Sequence, residues 1–238
     1  MLNDITKFRP TKDIDFMGRA FENDIEECKK IISSIASVEC EDGVSFLTEN
    51  ISAEFIKEDA DYKGVRIHLP YRMDTINSYL SIDIGFGDKI IQGPCELDFP
   101  TLLDSPSPNI LVYSYESAVA EKFEAIVKLN FLTSRMKDFF DLVFIAERNS
   151  FEKNNLKTAL ETTFNNRGTN LGERAIIFED KFKQDQNKQI QWTAFLRRNK
   201  LNSENNFAEI VERIKQFIEP VFSQDKAQNW NFEEWKWV

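Results

Sequence analysis

Residues 11–17 read TKDIDFM and residues 79–86 read YLSIDIGF, two short segments in which acidic and apolar residues alternate. Side chains two apart in a strand point to the same face, so this spacing predicts strands with Asp13 and Asp15 together on one face. Asp83 lies between two isoleucines and is expected on the polar face of its own strand. The alternation therefore predicts three carboxylates that project together from one sheet.

Three carboxylates at that spacing repel one another strongly unless they share hard cations such as Mg²⁺. Two metal ions held by three carboxylates support in-line phosphoryl or nucleotidyl transfer. D-x-D pairs are also common in acidic proteins and often cap turns. The pair alone therefore leaves a metal site and a structural role open.

Charge and hydropathy narrow the class of protein. The 238 residues carry a net charge of −10, and residues 1–150 hold 27 acidic side chains against 16 basic ones. This balance argues against coating nucleic acid or an anionic membrane by bulk charge, but it permits a local patch or bound metal ions. The sequence has no apolar run of transmembrane length and no signal peptide at residues 1–13, so we expect a soluble, cytoplasmic protein.

Cysteine and histidine usage excludes several chemistries. Cys28, Cys40 and Cys95 are widely spaced, which supports neither a disulfide framework nor a thiolate zinc site. The single histidine, His68, is expected on the polar face of a strand, and it cannot build a multi-histidine centre. Any catalysis would rest on carboxylates and lysines.

The periodicity predicts an α+β fold with two parts. Residues 1–110 are expected to form a mixed α/β core with a helix over 22–36, and residues 111–238 an all-helical domain. Ser114 is expected to cap the first helix of that domain. A further helix is expected over 134–147.

Two helical motifs in the second part carry clustered charges. Lys122 lies in SAVAEKFEA, beside small residues. In SRMKDFFDL, Lys137 and Asp141 are four apart and Asp138 and Asp141 three apart, so their side chains meet on one helical face. A solvated face with a weak ion pair has the same spacing. The surrounding phenylalanines, however, predict partial burial, and buried charges need partners or a function.

Four motifs together resemble a known family. TKDIDF, SIDIGFGD, YSYESAVAEKFEA and SRMKDFFDL occur in the order and spacing of the AbiEii/AbiGii-type nucleotidyltransferases, toxins of type IV toxin–antitoxin and abortive-infection systems. The resemblance covers residues 2–146. It implies a DNA-polymerase-β-like nucleotidyltransferase core, a mixed sheet with flanking helices, followed by a helical C-terminal part.

The resemblance also implies roles for residues of the first part. Asp13 and Asp15 would hold Mg²⁺ against the nucleoside triphosphate (NTP), and Asp83 would be the third carboxylate, acting as base or metal ligand. Arg9 and Lys12 flank the D-x-D strand and could add positive charge near the phosphates, although a solvent-facing role is equally open.

Residues of the second part would complete the site by the same resemblance. Lys122 would contact the nucleotide, and Lys137, Asp138 and Asp141 would join it. Negative charge spreads over the phosphoryl oxygens in the transition state of such a transfer, and cations must meet that charge.

One element of the family pattern is missing from the sequence. Family members carry a helix and a Gly-Gly-Thr/Ser segment before the D-x-D, whose backbone N–H groups cradle the triphosphate. Residues 1–12 contain no glycine. We expect either that the natural reading frame starts upstream of Met1 or that this copy lacks the cradle.

Two functions follow as alternatives. The first is Mg²⁺-dependent transfer of a nucleoside monophosphate (NMP) from an NTP to tRNA or protein, by a toxin with a cognate antitoxin. The second is a truncated, catalytically impaired relative that acts as a binding protein. A nuclease is less consistent with the lysine-bearing helices. Separately, Trp230, Trp235 and Trp237 are expected to dock as an aromatic tail in a groove of their own fold or of a partner.

Overall fold

A computed structural model describes residues 13–58, 62–87, 93–101 and 106–238. The described residues up to 87 form one compact unit, which we call the sheet unit. Those from residue 93 onward form a second, which we call the helical unit. The domain boundary expected at residue 110 remains a prediction.

The sheet unit is a mixed sheet with one helix packed on it. Its strand order is β1–β5–β4–β2, and β3 also pairs with β4. β1 runs parallel to β5, whereas the other pairs are antiparallel. The elements are β1 (Asp13–Met17), α1 (Ile25–Ala36), β2 (Val44–Phe46), β3 (Ser52–Glu58), β4 (Tyr62–Met73) and β5 (Ile76–Gly85).

Alternation along the strands gives this sheet one apolar face and one polar face. Val65 and Ile67 of β4 and Ile82 of β5 are buried on the apolar face, together with Cys28 and Ile32 of α1. The helix begins at an Asp24 cap, whose carboxylate accepts a hydrogen bond from the Glu27 N–H at 2.8 Å. Because α1 covers the apolar face, the polar side chains of the same strands lie on the other face.

The helical unit begins with a β-hairpin and continues as packed helices. The hairpin is β6 (Cys95–Asp98) with β7 (Asn109–Val112), in a proline-rich stretch. The helices are α2 (Tyr115–Leu129), α3 (Met136–Ala146), α4 (Lys153–Asn166), α5 (Arg174–Ile177), α6 (Asp180–Lys183), α7 (Gln186–Asn199) and α8 (Phe207–Ile218).

Aromatic side chains dominate the core of this unit. Phe139 of α3 packs against Phe182 of α6 and Phe207 of α8. Trp192 of α7 also packs against Phe207. Local signals set the helix starts: Ser114 caps α2 as predicted, and α8 begins with a reciprocal capping box.

A small sheet closes the C-terminus and corrects the expectation of an all-helical second part. β8 (Phe151–Glu152), β9 (Asn229–Asn231) and β10 (Lys236–Trp237) form three antiparallel strands in the order β8–β9–β10. Trp230 is buried, and its indole N–H donates to the Ala146 carbonyl at 2.8 Å. The aromatic tail thus docks in its own fold. Strands of two or three residues are too short to leave a periodic signal, which is why the sheet was missed.

The α+β fold class is confirmed. A mixed sheet with a covering helix comes first, and a mainly helical part follows it. None of the helices in the described ranges is long and apolar enough to cross a membrane.

Candidate functional site

The strand register puts charged residues in one row across the polar face of the sheet. Asp15 of β1 lies opposite Asp83 of β5, Asp83 opposite Arg66 of β4, and Arg66 opposite Glu54 of β3. Residues directly opposite in neighbouring strands project to the same face. The row therefore runs Glu54, Arg66, Asp83, Asp15.

A second row of residues lies on the same face, two residues along each strand from the first. It runs Ser52, His68, Ser81, Asp13, by the same pairings of β3, β4, β5 and β1. Asp13 therefore shares a face with Asp15 and Asp83, and the fold brings the three predicted carboxylates together on the polar side of the sheet. His68 also lies on the polar face, where its ring meets Tyr79 edge-on at 5.3 Å.

Arg66 pairs with Asp83 on this face, and it was not among the site residues predicted from the sequence. Its Nε donates to Asp83 Oδ1 at 2.7 Å and its Nη2 to Asp83 Oδ2 at 2.6 Å, a two-pronged fork. The bonds to Asp83 raise the pKa of the guanidinium, and the charges of Asp13 and Glu54 add to that effect. The VRIH alternation places Arg66 on the polar face, but its partner follows only from the strand order.

The carboxylates suit a hard cation in chemistry. Mg²⁺ takes oxygen ligands, and the exposed carboxylates of Asp13 and Asp15 lie on one face of β1. Both oxygens of Asp83 are held by Arg66. Within the described ranges, no group of three His, Cys, Asp or Glu side chains is arranged to hold a metal. Asp13 and Asp15 fit as ligands, whereas at Asp83 an ion would compete with the guanidinium of Arg66.

A second charged cluster joins two helices of the helical unit. Lys122 Nζ of α2 donates to Asp141 Oδ2 at 2.9 Å and lies 3.5 Å from Asp138 Oδ1, both on α3. The Asp138 side chain is 1 % exposed, whereas that of Lys122 is 26 % exposed. The structure therefore brings Lys122, Asp138 and Asp141 together, with the buried carboxylate underneath and the lysine reaching solvent.

Arg135 completes this cluster from the start of α3. Its Nε donates to Asp138 Oδ2 at 2.5 Å, so the buried carboxylate lies between two cations. Arg135 was not among the site residues predicted from the sequence. Its position three residues before Asp138 is a helical spacing that could have identified it.

The remaining predicted site residues are placed differently. Lys137 is exposed on α3, and its role stays a prediction. Arg9 and Lys12 lie outside the described residues.

Comparison with known proteins decides the family. The family described as "Nucleotidyl transferase AbiEii toxin, Type IV TA system" matches residues 5–224, nearly the whole chain. The chain belongs to the AbiEii family. The resemblance inferred from four motifs is thereby confirmed, and the match extends through the helical unit.

Two solved structures are similar to this AbiEii-family chain. One, from H. pylori, is described as a candidate nucleotidyltransferase: it is 15 % identical with a TM-score of 0.46, and the alignment covers 90 % of this chain and 79 % of that one. The other is JHP933 from Helicobacter pylori, at 14 % identity and the same TM-score, covering 90 % of this chain and 77 % of that one. Among curated proteins, none matches the sequence.

Proposed function

We propose that this AbiEii-family chain is a Mg²⁺-dependent nucleotidyltransferase that moves an NMP from an NTP to a macromolecular acceptor, tRNA or protein. It would act in the cytoplasm as the toxin of a type IV toxin–antitoxin or abortive-infection system. Family membership supports the reaction class. The observation that carries the site is the shared sheet face of Asp13, Asp15 and Asp83.

The polar face of the sheet unit supplies ligands of the right chemistry for this reaction. Asp13 and Asp15 would hold Mg²⁺, which when bound withdraws negative charge from the phosphoryl oxygens. The two side chains project from the same face of one strand, so they can bind one ion without rearranging the backbone. Asp83, opposite Asp15, is the proposed third carboxylate.

The helical cluster supplies a held lysine for the nucleotide. An ammonium group has three N–H donors, and Lys122 directs two of them toward Asp138 and Asp141. One donor is left to meet a phosphate or base oxygen. The buried Asp138 fixes the position of the lysine, and Asp141 and the exposed Lys137 would complete this helical cluster.

The proposed partners are an NTP, the acceptor and an antitoxin. The type IV toxin–antitoxin family implies a cognate antitoxin, which we propose is a protein.

Transfer of radiolabelled NMP tests the proposal. Each of the four labelled NTPs is incubated with Mg²⁺, total tRNA or total protein, and wild-type chain, Asp13→Ala or Lys122→Ala. We expect wild type to label one acceptor and each variant to lose on the order of 10²-fold or more in rate, because each removes part of the charge stabilisation. Asp42→Ala and Lys226→Ala, at exposed positions of the two units, are matched controls expected to keep full activity.

Absence of transfer by wild type with every NTP and both acceptors would overturn the enzyme proposal. One observation favours the alternative of a binding protein: Arg66 already occupies both oxygens of Asp83. That alternative predicts no thermal stabilisation by NTP with Mg²⁺. The enzyme proposal predicts stabilisation of about 2.7 kcal/mol at a ligand concentration of 100 Kd.

A further inference from the structure

Arg66 occupies the place on Asp83 that a cation would take. Its fork uses both carboxylate oxygens, at 2.7 and 2.6 Å. The Asp83 side chain is 19 % exposed and that of Arg66 is 37 % exposed, so the pair is shielded from water but not sealed. Glu54 lies opposite Arg66 on the other neighbouring strand, β3.

A divalent cation approaching these carboxylates meets two obstacles. The two hydrogen bonds of the fork each use a lone pair of Asp83, so an ion that binds this carboxylate competes with the guanidinium for it. The guanidinium also repels the ion as long as it remains in the row between Glu54 and Asp83. Removal of a unit charge about 5 Å away changes cation affinity by roughly tenfold or more near a protein surface.

We propose that Arg66 is a positioning residue, the resident counter-ion of Asp83 with which a divalent cation must compete. The inference rests on the proposed metal-binding function of this face and adds how loading of the metal is controlled. The cation alone binds weakly, because the guanidinium repels it and competes with it for Asp83.

Nucleotide binding gives the displaced guanidinium a new partner. Arginine forms two-pronged bonds to phosphate as readily as to carboxylate. A triphosphate that binds together with the cation can therefore accept the hydrogen bonds that Arg66 no longer donates to Asp83. Cation and NTP then strengthen each other's binding by the same factor, since such coupling is reciprocal.

Mn²⁺ binding measured by electron paramagnetic resonance, without nucleotide, tests this directly. We expect Arg66→Gln to bind Mn²⁺ about tenfold more tightly than wild type, because it removes both the repulsion and the competition. Arg72→Gln is the matched control: it removes the same charge from the same face of β4, about 20 Å along the strand, and should leave the affinity unchanged. Adding Asp83→Asn to Arg66→Gln should abolish the gain.

Arg66→Lys is a second variant that tests the proposal even if Arg66→Gln does not fold. Lysine keeps the charge but cannot form the fork, so a gain smaller than that of Arg66→Gln is expected. Addition of a non-hydrolysable NTP should tighten Mn²⁺ binding more in wild type than in Arg66→Gln. Circular dichroism confirms that each variant is folded.

The proposal is overturned if folded Arg66→Gln and Arg66→Lys bind Mn²⁺ no more tightly than wild type, including the case in which no variant binds. It is also overturned if Arg72→Gln shows the same gain or if the Asp83→Asn double variant keeps it. The transfer assay separates the two proposals. An Arg66-dependent affinity without any transfer would remove the reaction only, and transfer with an unchanged affinity would remove the counter-ion role only.

Discussion

The two units differ in how far their charged side chains are buried. Among the described residues, the buried charged side chains all lie in the helical unit: Glu124, Asp138, Lys153 and Lys188. On the polar face of the sheet unit, in contrast, Asp13, Asp15 and Glu54 are exposed and Asp83 is half-buried.

The buried charges of the helical unit are stabilised by the groups that contact them. In the helical unit, Asp138 lies between Lys122 and Arg135, and Lys153 donates to Asp225 at 2.7 Å. Burial of a charge is tolerated only with such partners. On the sheet face, four carboxylates and the guanidinium of Arg66 lie in two adjacent rows. The helical unit therefore buries several of its charges in contact with partners, whereas the sheet unit keeps the carboxylates of its polar face exposed or half-buried.

Removal of the buried carboxylate should have the largest effect on stability. Asp138→Asn leaves Lys122 and Arg135 without their shared counter-charge, and we expect it to lower the free energy of unfolding by about 2–3 kcal/mol. Urea unfolding followed by tryptophan fluorescence measures this free energy. The signal reports on the unit that contains Asp138, because all four tryptophans lie in the helical unit.

Asp180→Asn is the matched control for this change. Asp180 pairs with Lys183 at 3.1 Å, but its side chain is 81 % exposed, and exposed pairs contribute about 0–1 kcal/mol. An equal loss in the two variants would show that burial of Asp138 does not set its contribution.

Sequence predicted the faces of the sheet better than its contacts. Alternation was sufficient to put Asp13, Asp15 and Asp83 on polar faces, because the side-chain period of a strand is two. It could not give the Arg66–Asp83 fork, since that needs β4 and β5 to be neighbours in one particular register.

The helical cluster shows the same limit. The spacing of Asp138 and Asp141 places them on one face of α3, and the apolar neighbours correctly predicted burial. Contact with Lys122 depends on how α2 packs against α3, which no local pattern encodes. Family resemblance brought these residues together as a group because it carries tertiary information that a single segment lacks.

A smaller effect is expected from the buried lysine of α7. Lys188 Nζ donates to the carbonyls of Phe131 and Thr133, and burial lowers the pKa of Lys188 below 10.5, partly offset by the charge of Asp185. Between the folded and unfolded pKa values the unfolded state binds more protons, so stability rises with pH through that window.

Lys188→Met should remove this rise. The difference in unfolding free energy between wild type and variant should grow with pH up to 10.5, by at most about 1.4 kcal/mol per pH unit. Urea unfolding at a series of pH values measures it, with exposed Lys226→Met as the control. A difference that stays constant with pH would mean that Lys188 is equally easy to protonate in the folded and unfolded chain.

The smallest effect on stability is expected from a change of an exposed carboxylate on the polar face of the sheet unit. Asp15 is exposed and faces Asp83, so Asp15→Asn should change the free energy of unfolding by no more than about 0.5 kcal/mol without metal. Differential scanning calorimetry measures this, with Asp42→Asn as the control at another exposed position of the unit. The same variant should lose the stabilisation that we propose Mg²⁺ with NTP gives wild type, because it removes the charge of a proposed ligand. A loss of 2 kcal/mol or more without metal would place Asp15 with Asp138, as a carboxylate that holds the fold, and would remove the contrast between the two units.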